Sequence, residues 1–173
     1  MVKFTFLYFA IMLVGQAVYD FEVKPSSGET LKLAEFKGKV FMIVNTATKC
    51  GFASQLSELE ELRSVYENKG LVILAIPTND FGSQEPLNGE ELKRYCSEKH
   101  GAKYLVADRM SVSDPLFQFL TQESREKLGS FPERIIWNFE KFIFDRTGNI
   151  RFRFRSNQSP ISEKVKKAIE SLF

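Results

Sequence analysis

Two cysteines, Cys50 and Cys96, are the only thiols in this sequence, and they define the chemistry open to it. Two thiols can form one disulfide or work as one redox pair. They are too few for a four-thiolate metal site or for the disulfide framework of a small secreted domain. The single histidine excludes sites that need two imidazoles, such as a three-histidine zinc centre or a HExxH helix. The sequence therefore predicts thiol chemistry without a metal or a cofactor.

Cys50 lies between an apolar run that ends at Val44 and a helix that begins near Ser54. In open α/β sheets reactive groups gather at the carboxyl ends of strands, and a helix N-terminus stabilises an anion. This position favours a reactive thiolate, but it also fits a buried small side chain or half of a structural disulfide. Position 53 is alanine, so the CxxC motif of disulfide oxidoreductases is absent.

The elements that must position Cys50 form a βαβ unit. Residues 40–44 and 71–76 are continuous apolar runs, typical of strands that are buried on both faces. Between them, residues 56–66 carry apolar side chains at helical spacing, and Gly70 follows as a stop signal. Because the crossover joins the two strands through a helix, the strands are predicted to be parallel.

Seven further segments complete the predicted α/β domain with a mixed central sheet. They are an opening hairpin at 21–23 and 30–33, a second hairpin at 141–145 and 150–155, and helices at 90–99, 114–120 and 161–172. In the last strand Arg151, Arg153 and Arg155 alternate with two phenylalanines, which predicts a solvated face with three positive charges. The alternative is attraction of an acidic thiol or an acidic patch on a partner.

Composition and charge narrow the class of protein further. The chain has 173 residues, of which 43% are hydrophobic, as suits one globular domain with an ordinary core. A net charge of +2 is too small to argue for a nucleic-acid partner. No repeat, low-complexity tract or linker divides the chain, so residues 18–173 are predicted to form one domain.

Residues 1–17 are predicted to be a secretory signal peptide rather than part of that domain. Lys3 is followed by an apolar run over 4–14, and small residues stand at the cleavage positions up to Ala17. The run is shorter than the roughly 20 residues that span a bilayer, so no stable membrane anchor is expected. A buried first strand is the alternative. Cleavage would leave a mature chain from Val18 in a secreted or periplasmic, disulfide-permissive compartment.

Three segments resemble the signatures of the glutathione peroxidase family. Residues 45–52, NTATKCGF, are similar to its peroxidatic-cysteine signature. Residues 77–86, PTNDFGSQEP, resemble its second signature, and residues 137–142, WNFEKF, its third. The segments agree in order and spacing, and the likeness extends over about residues 21–172. The chain resembles the family's cysteine-containing, non-selenium members.

The resemblance implies a thioredoxin-like fold and a peroxidase in which Cys50 attacks hydrogen peroxide or an organic hydroperoxide. It implies that Gln84, Trp137 and Asn138 complete the catalytic set. Amide and indole N–H groups can hold the charge of a thiolate and of a leaving oxygen without titrating, so no histidine is required. Taken singly, Gln84 also fits an exposed turn, Trp137 a core position and Asn138 a turn cap.

The resemblance to thiol-dependent members also gives Cys96 a role, as the resolving cysteine that reduces the Cys50 sulfenic acid. A disulfide needs Cα atoms within about 7 Å, so the helix that carries Cys96 would have to loosen. A thioredoxin-like dithiol protein would then recharge the enzyme, with glutathione as the other reductant. The alternative for Cys96 is a packing residue beside Leu92.

Departures from the family pattern limit what the resemblance implies. Thr78 stands where many members have another cysteine, so that position cannot resolve a sulfenic acid here. The usual glycine-containing turn is replaced over residues 109–114, which leaves substrate and subunit contacts there undefined. The short segment between Leu120 and Trp137 lacks the assembly loop of tetrameric members, which favours a monomer.

A second hypothesis is a secreted binding or structural domain of thioredoxin fold, in which Cys50 and Cys96 form a permanent disulfide. A structural domain would need no catalytic role for Gln84, Trp137 and Asn138. The presence of these three residues therefore favours the enzyme. A disulfide oxidoreductase is weakened by the missing CxxC motif.

Overall fold

The computed structural model describes residues 17–26, 28–129 and 131–173, and these begin with a 3-10 turn over Val18–Asp20 that leads into a small hairpin. Strand β1 (Glu22–Val23) pairs antiparallel with strand β2 (Leu31–Lys32), which confirms the predicted opening hairpin. A 3-10 turn over Leu33–Phe36 follows. The predicted signal peptide lies outside the described residues except for Ala17.

Within the described ranges, five strands form the central sheet: β3 (Phe41–Thr46), β4 (Val72–Pro77), β5 (Leu105–Val106), β6 (Lys141–Phe144) and β7 (Ile150–Phe154). Their order is β5-β4-β3-β6-β7. β4 is parallel to both β3 and β5, whereas β6 is antiparallel to β3 and to β7. The predicted parallel pair and the predicted mixed sheet are confirmed. All six residues of β3 are buried, because this strand has a neighbour on each edge and a core on each face.

The helices cover both faces of the sheet. They are α1 (Gln55–Tyr66), α2 (Gly89–His100), α3 (Pro115–Leu128) and α4 (Glu163–Glu170). Alternate residues of β3 point to opposite cores. One core joins α1 and α4 to the sheet through Leu56, Leu59, Leu62, Val165, Ile169, Met42 and Val44. The other joins α3 and the 3-10 turn to it through Leu33, Phe36, Phe117, Leu120, Phe41 and Ile43. No helix of the described residues combines the length and the apolar character needed to cross a bilayer.

The helix α3 extends further than the sequence predicted. Its start is as expected, because Asp114 caps the helix by accepting the N–H of Leu116 at 2.9 Å and Pro115 follows. The helix continues past residue 120 to Leu128, and its polar residues Thr121 and Ser124 can be buried because their hydroxyls bond to the helix's own carbonyls. Thr121 donates to the oxygen of Phe117 at 3.0 Å, and Ser124 donates to the oxygen of Thr121 at 2.9 Å.

The prediction of a solvated face with three arginines on β7 is wrong. Arg151 is exposed, but Arg153 is buried and forms an ion pair with Glu140 at 2.8 Å. The pairing of β6 with β7 shifts register, since Ile143 faces Phe152 while Phe144 faces Ile150. One extra residue on β7 breaks the alternation on which the prediction depended. The second hairpin itself is confirmed.

Candidate active site

Cys50 lies in the turn that leaves the carboxyl end of β3 and enters α1, as its place in the sequence predicted. Its side chain is 6% exposed. The N–H of Phe52 donates to the Cys50 sulfur at 3.5 Å, and the N–H of Ala53 donates to the Cys50 carbonyl oxygen at 2.9 Å. An amide dipole aimed at the sulfur stabilises negative charge there, so this turn can hold a thiolate.

The structure joins two of the predicted site residues directly. The side-chain Nδ2 of Asn138 donates to Oε1 of Gln84 at 3.1 Å. Thr78 donates its hydroxyl to Oδ1 of Asn138 at 3.2 Å, and Asn138 is fully buried. The carbonyl oxygen of Gln84 accepts the N–H of Lys49, the residue before Cys50, at 2.9 Å. Gln84 is therefore fixed both to Asn138 and to the cysteine turn, and its Nε2 makes no hydrogen bond to any described residue.

Trp137 lies at the mouth of this site rather than in the core. Its side chain is 38% exposed, and its ring packs against Phe81 with centroids 5.7 Å apart. It shares an open pocket with Phe52, whose amide contacts the Cys50 sulfur. The indole N–H has no hydrogen-bond partner among the described residues, so it is available to a bound molecule.

Left-handed backbone lies next to both amide residues of the site. Ser83, before Gln84, has φ = 52°, and Phe139, after Asn138, has φ = 67°. Such conformations cost a non-glycine residue about 1–3 kcal/mol and persist only where the surroundings fix them. For Phe139, the surroundings are a hydrogen bond from its N–H to the oxygen of Asn45 at 2.6 Å and complete burial of its ring.

Asn45 fixes the segment 137–140 to the end of β3. Its Nδ2 donates to the oxygen of Trp137 at 3.1 Å, and its Oδ1 accepts the N–H of Glu140 at 2.9 Å. Its main chain adds the bond from Phe139 and a 3.3 Å bond to the oxygen of Glu140. In the sequence, Asn45 stands out only as the first residue of the motif at 45–52. A polar residue at the end of an apolar strand was the signal for this role.

Glu85 fixes the cysteine turn from the other side. It is fully buried and accepts the N–H and the hydroxyl of Thr48 at 2.9 and 2.8 Å. It also accepts the N–H of Leu87, just before α2, at 3.2 Å. Burial raises the pKa of Glu85 above its ordinary value, and these bonds, with the charge of Arg109, offset only part of that increase. Sequence reasoning missed Glu85, because a glutamate in a polar segment is ordinarily expected to be exposed to solvent.

A buried lysine fixes the first turn of α1, and sequence reasoning missed it as well. Lys141, the first residue of β6, is fully buried. Its ammonium donates to Oε1 of Gln55 at 2.5 Å and to the oxygen of Gln158 at 2.6 Å. Gln55 in turn donates to the oxygen of Ser156 at 2.7 Å. This network holds the start of the helix that follows Cys50 against the loop after β7.

Cys96 is not part of this group in the structure. It is buried in α2, neither cysteine forms a disulfide, and no hydrogen bond among the described residues joins Cys96 to the other predicted site residues. Burial, with a further contribution from the charge of Glu85, raises the pKa of Cys96 to about 12. Leu92 and Cys96 are the only fully buried side chains of the twelve-residue α2. The helix is therefore weakly anchored.

The arrangement brings one thiol, two amides and one indole to the same end of the sheet, because all four groups lie in loops where β3 and β4 end and the antiparallel β6 begins. It supplies a nucleophile with uncharged N–H donors around it. No group of three metal-binding side chains occurs in the part of the chain that the structure describes.

Comparison with known proteins agrees with this chemistry. The family model for glutathione peroxidase matches residues 18–123. The glutathione peroxidase homolog BsaA of Staphylococcus epidermidis is 40% identical over 161 residues, which cover 91% of this chain and 99% of that protein. The glutathione peroxidase-like peroxiredoxin gpx1 of Schizosaccharomyces pombe is 39% identical over 158 residues, covering 89% and 97%.

Solved structures show the same fold. Trgpx in its apo form is 32% identical, with a TM-score of 0.68 and coverage of 90% of this chain and 97% of that one. A thioredoxin family thiol:disulfide interchange protein of Chlorobium tepidum is 20% identical, with a TM-score of 0.62 and coverage of 86% and 92%, and it supports the fold alone. The chain is thus a thiol-dependent peroxidase of thioredoxin-like fold. It belongs to the glutathione peroxidase family.

Lys141 gives a testable dependence of stability on pH. Burial lowers its pKa to about 7, against the pull of Glu58 and Glu140. In the unfolded chain a lysine titrates near pH 10.4, so between these values the unfolded state binds more protons and stability rises with pH. We expect the free energy of unfolding of the native chain, minus that of Lys141→Met, to rise by about 1–2 kcal/mol between about pH 7 and 9.

The measurement is urea unfolding of both proteins across that range. Groups that titrate in both proteins cancel in the difference, and the loss of the two hydrogen bonds in Lys141→Met is a constant offset. A difference that stays flat across the range would show that Lys141 keeps its ordinary pKa in the folded protein.

Proposed function

We propose that this chain reduces hydrogen peroxide and organic hydroperoxides through Cys50. The observation that carries the proposal is the link from Asn138 through Gln84 to the cysteine turn, which leaves the Gln84 Nε2 without a described partner. The indole N–H of Trp137 is equally free. Two uncharged donors without a described partner therefore lie on the loops that contact the cysteine turn, and that turn supplies a third N–H, from Phe52, to the sulfur.

In the first step the Cys50 thiolate attacks one peroxide oxygen. The S–O bond forms, the O–O bond breaks, and the second oxygen leaves as water or an alcohol after taking up a proton. Cys50 is oxidised to a sulfenic acid and the hydroperoxide is reduced. Gln84 and Trp137 stabilise the charge on the sulfur and on the departing oxygen, while Asn138 orients Gln84 and contributes its remaining N–H.

In the second step Cys96 attacks the Cys50 sulfenic acid. A disulfide forms, and the hydroxyl leaves as water with the thiol proton of Cys96. The weak anchoring of α2 supports this step, because the helix can open locally at low cost. Opening also exposes Cys96, and an exposed thiol returns toward an ordinary pKa of about 8.5, at which it is a competent nucleophile.

A reducing thiol then restores both cysteines. An intramolecular disulfide is a substrate for a thioredoxin-like dithiol protein, which we take as the reductant, with glutathione as the alternative. The rival hypothesis of a structural domain with a permanent disulfide has no support in the structure, where both thiols are free.

Cysteine variants separate these steps. Cys50→Ser should lose peroxidase turnover, because a hydroxyl without an adjacent base stays protonated at neutral pH. Cys96→Ser should still reduce one equivalent of peroxide and then stall. Its thioredoxin-supported turnover should collapse while any glutathione-supported turnover survives. The measurements are peroxide consumption with each reductant and thiol titration before and after one equivalent of peroxide.

The outcomes bear on different parts of the proposal. Activity of more than a few per cent in Cys50→Ser would remove Cys50 as the nucleophile. Equal thioredoxin-supported turnover in the native chain and in Cys96→Ser would make Cys96 a packing residue. Native protein with no titratable thiol before peroxide would favour the permanent disulfide.

We also propose that the chain is a secreted or periplasmic monomer that has neither a membrane anchor nor a nucleic-acid partner. The leader-like pattern of residues 1–17 supports the location. Val18 is fully buried whereas Ala17 is exposed, which supports a domain boundary at this point.

If the signal peptide is removed, the mature chain should begin at or near Val18. Intact-mass and amino-terminal peptide measurements on protein purified from its native host test it. Protein that retains Met1 or Val2 would contradict both the signal peptide and the extracytoplasmic location.

A further inference from the structure

Arg153 uses every donor that its side chain has. Its Nε and Nη2 donate to Oε2 of Glu140 at 3.0 and 2.8 Å. Its Nη1 donates to the hydroxyl of Ser124 and to the oxygen of Pro132, both at 3.0 Å. Its Nη2 also donates to the oxygen of Arg134 at 3.1 Å. A guanidinium has five N–H groups, so all five are satisfied, and the side chain is fully buried.

The groups that Arg153 binds belong to the segment that carries Trp137 and Asn138. Over residues 131–140 this segment contains neither a helix nor a strand. Two of its carbonyls are bound by Arg153, and the N–H of Ile136 is bound by Oε1 of Glu140 at 2.9 Å. Arg125 pairs with Glu133, and Arg155 lies 3.5 Å from Oε1 of Glu140, but both of these arginines are partly exposed. The buried contacts that set the path of the segment are therefore those of the Arg153–Glu140 pair and of Asn45, rather than its own backbone hydrogen bonds.

The shape of a guanidinium suits this task. Arg153 lies over the rings of Phe131 and Phe142, with centroids 5.4 and 5.0 Å from its central carbon. A flat group between these contacts can donate in several directions within one plane, whereas a lysine ammonium is a compact point charge. Keeping the charge is thus not enough to keep the geometry.

A buried ion pair is weak evidence for a role in stability. Replacing such a pair by apolar side chains is often neutral or stabilising, because desolvation offsets the attraction. The best-attested use of such a pair is to fix one arrangement of the chain. Here the arrangement in question is that of two residues assigned to the active site.

We propose that Arg153 and Glu140 are positioning residues for peroxide reduction, which hold the segment 131–140 so that Trp137 and Asn138 face Cys50 and Gln84. This inference rests on the proposed peroxidase function of the site. Neither Arg153 nor Glu140 touches the hydroperoxide. They act through the segment that they bind.

The test compares Arg153→Lys with a control on the same strand, Arg151→Lys. Arg151 is exposed and contacts Asp145 at 3.3 Å, outside the segment. Trp137 is the only tryptophan of the chain, so its fluorescence reports on the segment directly. We expect Arg153→Lys to shift the emission and increase its quenching by acrylamide, and to slow the single-turnover oxidation of Cys50 by about 10- to 100-fold. Arg151→Lys should match the native chain in both.

A merely structural role predicts a different pattern. If the pair only stabilises the fold, Arg153→Lys assayed well below its melting temperature should show native emission and a native oxidation rate, and that result would overturn the proposal. Should Arg153→Lys fail to fold, Glu140→Gln takes its place, because it keeps the shape of the side chain and removes the charge. The same two readouts then decide.

A double variant separates this proposal from the proposed function. If Arg153 acts through Trp137, Arg153→Lys should slow oxidation less in a Trp137→Phe background than in the native chain. Equal slowing in both backgrounds would contradict action through Trp137. If Trp137→Phe alone leaves oxidation unchanged, the catalytic role of Trp137 fails, while a fluorescence change in Arg153→Lys would still establish the positioning.

Discussion

The four hydrogen bonds between Asn45 and the segment 137–140 are the constraint on which the site depends. Asn45 is the penultimate residue of the central strand, and five residues later the same chain reaches Cys50. The segment that it binds carries Trp137 and Asn138 and comes from more than ninety residues further on. A buried carbonyl or N–H left without its partner costs about 1–3 kcal/mol, so the Asn45 side chain strongly favours this one arrangement. The nucleophile and its donors are thereby joined through the centre of the sheet.

Around this junction the protein buries charged and polar groups, and each of them would lower the stability of the fold if it lacked a hydrogen-bond partner. Glu85 binds the cysteine turn, Lys141 binds the first turn of α1, and the Arg153–Glu140 pair binds the segment 131–140. Glu85 and the Arg153–Glu140 pair fix irregular stretches that have no hydrogen-bond ladder of their own, and Lys141 fixes the start of a helix. Left-handed backbone at Phe139 lies within the segment 131–140, and that at Ser83 lies two residues before Glu85. The strain is kept because the buried bonds leave the chain no relaxed alternative.

The sequence was informative where structure is local and periodic. The apolar run before Cys50 predicted a buried strand, and the βαβ order predicted its parallel neighbour. The roles of Gln84, Trp137 and Asn138 came from resemblance alone, because a glutamine in a turn has no local pattern that distinguishes it. In the structure Asn138 and Gln84 share a hydrogen bond, whereas Cys96 lies apart from them. Arg153 was wrongly predicted to be solvated, because a single extra residue in β7 reverses which side chains point inward. The burial of Lys141 was missed, because burial of a charge depends on partners far along the chain.

The most direct test of this account is the rate at which peroxide oxidises Cys50, measured by stopped flow under single-turnover conditions. Gln84→Ala, Trp137→Phe and Asn138→Ala should each lower this rate by about 10²-fold, by analogy with the loss of one oxyanion donor. Arg151→Lys, an exposed change outside the site, should leave the rate unchanged. Since Asn138 and Gln84 share a hydrogen bond, the variant that lacks both should lose much less than the product of the two single losses. Native rates in all three single variants would contradict the account, because Cys50 would then react without the groups that this fold brings to it.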